Sequence, residues 1–388
     1  MPPATRRPAF WRTAGFRATL YQVLVIALLV GAVAWMTETA RQAMHARGIA
    51  SGFDFLLDRA GFAIGHAFFV FTPQDTYLRA FVVGLGNSLV VAAAGLVTAT
   101  VMGVALGLSR LSGNWLLSRA AGLYVELFRN TPQLVQIVFW YALFTLLPGP
   151  RQAWNLLDLA FVSNRGLLMP WPAQSGVFGL ALLLLVPGVF LARAFLRLAD
   201  RRRRAGRPLR GTALLAAVVL LAPSAVGWLA LGAPTGWSVP ALRGFNFVGG
   251  LGLSPEFLAL YFGLSFYIAA FVAEIVRAGI LSVGRGQVEA AQAIGLGRAD
   301  LYRKIVFPQA MRVVVPPLAA QYISLVKNSS LGVAIGYPEL FSVTNTVLTL
   351  SGHTIEAIAI MALVYLVLAL AIGALADIVN RAVRIRER

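Results

Sequence analysis

The sequence predicts an all-α protein, a polytopic transmembrane helical bundle of about eight spans. Three observations predict it. Of 388 residues, 59% are hydrophobic and only 12% are charged. Mean hydropathy is +0.76. The charges avoid the long apolar runs and collect between them. A soluble domain carries roughly 25% charged residues, so much of this surface faces something other than water.

A spanning helix needs about 20 mostly apolar residues. Uncharged stretches at 18–37, 80–109, 130–150, 166–192, 211–242 and 357–376 each hold one. Two further spans are shorter or interrupted. One covers 257–273 and continues through Glu274 to about Gly279; the other starts near Pro308 and runs through the uncharged stretch 313–326. Long Leu and Ala runs such as Leu182 to Leu185 suit contact with lipid. The first apolar run follows arginines, as in a signal peptide. It is long, and no small-residue cleavage site closes it, so a retained span is expected.

Lys and Arg favour the cytoplasmic side, and eight spans put both termini on one side. With the N-terminus inside, 25 of the 33 basic residues fall inside, among them Arg110, Arg119 and Arg129, the run Arg193 to Arg210, Arg277 to Arg312, and Arg381 to Arg388. Arg41, Arg47, Arg59, Arg79, Arg151, Arg165, Arg243 and Lys327 fall outside. Solvated helix ends are compatible with the same split. The net charge of +18 would suggest nucleic acid in a soluble protein. Here Arg201–Arg204 reads as a stop-transfer anchor near anionic lipid. There is no cysteine, which excludes disulfides and thiolate metal sites. His45, His66 and His353 are too scattered in sequence to suggest a metal cluster.

One inside loop, about 281–307, is long and patterned. Val288, Ala291 and Gln292 lie at helical spacing, and Gly295 suits the left-handed position after a helix end. Leu301 and Ile305 give a second apolar stripe among Arg298, Arg303 and Lys304. Pro308 suits the first turn of the next span. Two short helices hinged at a glycine are expected. Periodicity leaves open whether this elbow inserts into a partner or lies on lipid.

The spacing Glu289-Ala290-Ala291, three residues, Gly295, nine residues, Ile305-x-Phe307-Pro308 resembles the EAA loop of ATP-binding-cassette importer permeases, with Phe307 where leucine is usual. The resemblance implies that Glu289, Ala290, Ala291, Gly295, Ile305 and Pro308 couple this chain to an ATPase. Tyr124 to Gln136, Glu274 to Ile280 and Lys327 to Leu331 resemble polar amino-acid permeases of the binding-protein-dependent type. The likeness covers about 80–380. It implies a type I importer core of five helices at 80–108, 123–147, 256–280, 308–327 and 357–380. Ile49 to Leu56 and an insertion at about 148–255 resemble one of the two paired permeases of general L-amino-acid transporters. On this reading, residues 1–79 hold a cytoplasmic tail, the first span and a periplasmic loop, and 381–388 form a basic cytoplasmic tail.

Ionisable groups inside a membrane are costly and default to functional candidates. Glu274 lies in the sixth span and could serve a substrate ammonium. Arg277, three residues on, offers a plain intrahelical pair. Lys327, beside Asn328 and Ser329, could snorkel to the interface or meet a substrate carboxylate. Glu126 and Arg129 are expected to pair with each other or to contact a gate. Pro316-Pro317 should break the seventh span locally. Gly84, Gly86, Gly95, Gly103 and Gly107 permit close helix approach.

No phosphate-cradling G-x-x-x-x-G-K-[S/T] is present, and the only lysines are Lys304 and Lys327. No cofactor is expected on this chain; ATP and Mg belong to a partner ATPase. The expected partners are a cytoplasmic ATPase dimer, a second homologous permease, a periplasmic amino-acid-binding protein and the lipid bilayer. The expected function is inward movement of L-amino acids across the bacterial inner membrane by alternating access. A permease for another small polar solute, a secondary transporter, and a membrane enzyme or scaffold are the alternatives. The secondary transporter lacks the expected internal repeats, and the enzyme lacks convergent catalytic groups.

Overall fold

The computed structural model describes residues 14–46, 52–65, 68–206, 209 and 211–383. Arg6, Arg7, Arg12, Arg47, Ile49 to Ser51, His66, Arg207, Arg210, Arg384, Arg386 and Arg388 lie outside the described residues.

The chain opens with the long helices α1 (Ala14–Ala46) and α2 (Tyr77–Arg110), then α3 (Trp115–Asn130) and α4 (Gln133–Thr145). Strands β1 (Trp154–Leu156), β2 (Ala160–Ser163), β3 (Gly166–Met169) and β4 (Trp171–Pro172) follow. Next come α5 (Ser175–Leu183), α6 (Leu185–Arg204) and α7 (Thr212–Ala230). Strands β5 (Trp237–Ser238), β6 (Ala241–Arg243), β7 (Asn246–Val248) and β8 (Leu251–Leu253) lead into α8 (Pro255–Leu281). The chain ends through α9 (Arg285–Ala293), α10 (Arg298–Leu301), α11 (Phe307–Asn328), α12 (Leu340–Ser351) and α13 (Thr354–Val383).

Among the described residues, six helical stretches are long and apolar enough to cross a membrane: Thr19–Thr39, Tyr77–Arg110, Ser175–Arg204, Thr212–Ala230, Pro255–Leu281 and Thr354–Arg381. They account for six of the eight expected spans. The other two correspond to α4, with 13 residues, and α11, with 22.

Four expectations need correction. The run at 166–192 starts as strands, and its helix begins at Ser175. The run at 211–242 is helical only to Ala230. Pro170, Pro172, Gly232, Pro234 and Gly236 stop helix there without adding charge, so an uncharged run overstates a span. The helix expected over 123–147 is broken at Thr131, which is extended because Pro132 follows it. The break expected at Pro316-Pro317 does not occur, since α11 runs through both prolines. Each proline lacks an amide hydrogen, so the carbonyls of Arg312 and Val313 lose their usual donors while the helix persists.

The chain divides into two compact units, residues 1–88 with 338–372, and residues 89–337 with 373–388. In the first, Phe55, Tyr77, Phe81, Leu340, Val343 and Val347 form a buried cluster. The Phe55 ring stacks on His353 at 4.4 Å. The buried Glu339 caps α12, accepting from the amides of Phe341 at 2.8 Å and Ser342 at 2.7 Å. Tyr365 donates to the same carboxylate at 3.2 Å.

In the second unit α8 is the central helix, packed by α3, α4 and α11. Its buried face is rich in small residues, including Gly263, Ser265, Ala269, Ala270, Ala273 and Gly279. A Cβ on Gly103 of α2 would lie 2.5 Å from Val272, and one on Gly107 would lie 2.7 Å from the Ala273 carbonyl. These two glycines let α2 touch α8 backbone, the close approach their spacing suggested. Between α4 and α8, strands β1, β2, β3 and β8 form one antiparallel sheet. Pairing of β3 with β8 brings together the two ends of the segment that carries α5, α6 and α7. In that segment α6 packs along α7.

Candidate functional site

Three groups of the singled-out residues take shape, all in the second unit. The first is the patterned loop. Helix α9 carries Glu289, Ala290 and Ala291, and ends where Gly295 adopts φ +78. The Gly295 amide donates to the Gln292 carbonyl at 2.9 Å, and the Leu296 amide to the Ala291 carbonyl at 3.1 Å. These bonds close the helix end, and the left-handed turn they need favours glycine. Helix α10 then starts at Arg298, and a π-helical turn, Tyr302–Val306, joins it to α11. Pro308 sits in the first turn of α11.

A small core fixes the angle of this elbow. Ala291, Leu301 and Val306 are buried together, with Ile280, Val283, Val288, Leu296 and Ile305 packed around them. Glu289, Ala290 and Gln292 stay exposed. The short helix expected from Val288, Ala291 and Gln292 forms, with Val288 and Ala291 packed in this core and Gln292 exposed. Ile294 is 78% exposed and Phe307 61%, so the elbow shows apolar side chains as well as Glu289 on its outer face.

The second group surrounds Glu274. Its carboxylate takes Arg277 Nη2 at 2.5 Å, as the three-residue spacing suggested. It also takes Arg110 Nη1 from the end of α2, and Arg129 Nη1 from α3 at 4.0 Å. One carboxylate thus ties α2, α3 and α8 together. Sequence spacing gave no sign of Arg110, which is 164 residues away. The expected pairing of Glu126 with Arg129 is absent: no such ion pair forms among the described residues. Arg129 turns to Glu274 and places its guanidinium 5.2 Å from the Phe271 ring centroid. Glu126 is exposed and lines a cleft instead.

The third group joins the kink between α3 and α4 to the end of α11. Gln136 donates to the carbonyls of Phe128 at 2.9 Å and Thr131 at 3.0 Å, satisfying groups that the kink releases. Asn328 donates to Gln133 Oε1 at 2.6 Å. Gln133 Nε2 and Gln136 Oε1 are buried without a protein partner. Buried polar atoms of this kind call for a partner, which water can supply. Lys327 is exposed, and buried Ser329 donates to the Val326 carbonyl at 2.8 Å. The three neighbours therefore differ: Asn328 crosses to α4, Lys327 stays exposed, and Ser329 is spent on its own helix. Gln133 and Gln136 lay inside a motif-bearing stretch, but only the fold picks them out.

Between α2 and its neighbours, the Tyr322 hydroxyl of α11 bonds Thr100 at 2.8 Å and the Tyr261 hydroxyl of α8 bonds Thr98 at 2.6 Å. Tyr141 donates to Glu256 at 3.4 Å. Among the described residues no cluster of three or more His, Asp or Glu side chains could hold a metal ion.

Residues 95–385 match the family described as the binding-protein-dependent transport system inner membrane component. A putative amino-acid ABC transporter permease protein, YhdX of Escherichia coli K12, is 46% identical over 96% of this chain and 95% of its own. The general L-amino acid transport system permease protein AapQ of Rhizobium johnstonii is 41% identical over 92% of this chain and 89% of its own. The glutamate/glutamine/aspartate/asparagine transport system permease protein BztB of Rhodobacter capsulatus is 33% identical, covering 96% and 95%.

Proposed function

This chain belongs to the inner membrane components of binding-protein-dependent transport systems, and from that premise we propose that it carries L-amino acids inward through conformational work done by a separate ATPase. The chain is a multi-pass membrane permease subunit of an ATP-binding-cassette importer and not the ATPase itself. Its proposed cargo class follows from the amino-acid transport for which its relatives are named. Its proposed partners are an ATPase dimer, a second homologous permease and a periplasmic amino-acid-binding protein. ATP and Mg sit on the ATPase. Both termini and the α9–α10 loop face the cytoplasm, an orientation supported by the excess of arginine on that side.

The observation that carries the reading is the elbow itself. A short helix, a glycine at φ +78 and a second short helix present Glu289, Ala290 and Ile294 outward from a compact core. Such a rigid projection can seat in a cleft and transmit movement to α8 and α11, the two long helices it connects. Closure of the ATPase dimer on ATP would push on the elbow and tilt those helices. Access to the path would then pass from one side of the membrane to the other. On this orientation, tilting would make or break the pairs of Glu274 with Arg110, Arg129 and Arg277. Gln133 and Asn328 supply polar atoms deeper along the path.

Gly295→Pro tests the coupling. Proline fixes φ near −65° and cannot take the observed turn. Transport and substrate-stimulated ATP hydrolysis by the assembled complex should fall together to background. Gly295→Ala meets open space, costs about 1–2 kcal/mol for the left-handed backbone, and should keep partial coupling. Normal uptake and normal stimulated hydrolysis in Gly295→Pro would refute the docking role.

A further inference from the structure

A basic cleft on the α3 side of the second unit is left unexplained by coupling or by the amino-acid path. It has a volume of about 700 Å³ and is lined by Arg110 at the end of α2, by Leu116, Ser118, Arg119, Leu123 and Glu126 along α3, and by Arg277 of α8. We propose that it binds the phosphate group of an anionic phospholipid from the inner leaflet, with the acyl chains lying along the leucines of α3. The proposal rests on the orientation given above, which puts this end of α2, α3 and α8 at the cytoplasmic interface.

Charge is the first reason. Among the described residues, Arg110, Arg119 and Arg277 line the cleft with one carboxylate, Glu126, and Glu274 behind them pairs with Arg110, Arg129 and Arg277. Glu274 is already shared among three guanidiniums. Arg119 is exposed and makes no ion pair among the described residues. The surplus therefore favours an anion. Guanidinium groups match the oxygens of a phosphate in paired hydrogen bonds. The first turns of the 16-residue α3 border the same cleft, so its N-terminal dipole adds to the attraction.

The second reason is the apolar rim. On α3, Trp115 is 71% exposed, and Leu116 and Leu123 are 68% exposed. Leu123 and Leu127, also exposed, continue the stripe one turn apart. Tryptophan beside arginine at a membrane–water boundary is the pattern of an interfacial anchor. A phosphate in the cleft, with hydrocarbon along the stripe, uses both features. A free amino acid uses neither well, because its ammonium would face the guanidiniums. A soluble phosphate would use the cleft and leave the leucines idle.

Substituting Arg119 tests this without touching the Glu274 pairs. The assembled complex is placed in nanodiscs of phosphatidylcholine with phosphatidylglycerol as the minor component, and retained lipid is counted by native mass spectrometry. Wild type should retain phosphatidylglycerol over phosphatidylcholine by about tenfold. Arg119→Gln should lower that preference several-fold, and Arg119→Lys should restore part of it. Adding millimolar inorganic phosphate or ATP should leave the retained lipid unchanged. Equal retention in wild type and Arg119→Gln would overturn the proposal. So would displacement by inorganic phosphate, which would mark a soluble-anion site. Loss of the ATPase or second permease from Arg119→Gln, with lipid unchanged, would mark a protein interface instead. Uptake measured in phosphatidylcholine alone reports separately on the permease reading.

Discussion

Replacing Glu274 with glutamine removes the one carboxylate that holds Arg110, Arg129 and Arg277 together. The structure sets the size of the effect. Arg277 approaches at 2.5 Å and Arg129 at 4.0 Å, while the side chains of Arg110, Arg277 and Glu274 are 21%, 30% and 27% exposed. At a charge separation of about 4 Å and an effective dielectric near 20, each close pair gains roughly 4 kcal/mol before desolvation. Desolvation and partial exposure remove much of that, leaving about 1–2 kcal/mol of net coupling per close pair. Arg129, 41% exposed, adds little. Glutamine also leaves three guanidiniums clustered without their shared carboxylate. The expected total loss is about 2–4 kcal/mol, read as a fall of several degrees in thermal unfolding of the detergent-solubilised complex. The decisive assay is a double-mutant cycle of Glu274→Gln with Arg277→Gln, and a second with Arg110→Gln. Each should show coupling of about 1 kcal/mol or more, with the double variants more stable than the sum of the singles. Additivity within about 0.5 kcal/mol in both cycles would refute a shared carboxylate. Uptake by the Glu274→Gln complex should slow even where assembly persists, because the three helices lose their common tie.

Two other substitutions probe the packing and the polar path. Gly103→Val puts branched carbon where Val272 already sits and crowds the Ala269 carbonyl, 2.9 Å from the Cβ position. Separation of α2 from α8 should cost about 1–3 kcal/mol, lowering the unfolding temperature and the yield of assembled complex; an unchanged unfolding temperature would contradict the close approach. Asn328→Leu leaves Gln133 without its 2.6 Å donor and should cost about 1–3 kcal/mol. Pairing it with Gln133→Leu should recover part of that stability but not the uptake rate, and full recovery of uptake would show that the two amides only fill space.

Much of the architecture was legible in the sequence because lipid imposes a simple rule. A segment that crosses hydrocarbon must be apolar and satisfy its own backbone. The runs that became α1, α2, α8 and α13 declare themselves this way. The elbow was equally legible, since Val288, Ala291, Gly295 and Leu301 carry local periodicity and local turn chemistry. Where the rule was silent, the expectations slipped. The strands at 166–172 and 237–238 lack charge as an apolar helix does. The α3–α4 break needed Pro132 to be weighed against an apolar run, and the continuity of α11 through Pro316-Pro317 needed the reverse.

The sequence by itself determined the class of protein, most of the long apolar spans and the hinge at Gly295, since each depends on residues near one another in the chain. Only the tertiary structure decided who partners whom. Glu274 and Arg277 are neighbours on a helix, but Arg110 reaches the same carboxylate from 164 positions away. Asn328 meets Gln133 across 195. Nothing in local spacing encodes those meetings. They arise because Gly103, Gly107 and the small residues of α8 let the helices close to contact, and a charge or amide carried to that depth takes whatever partner the packing brings.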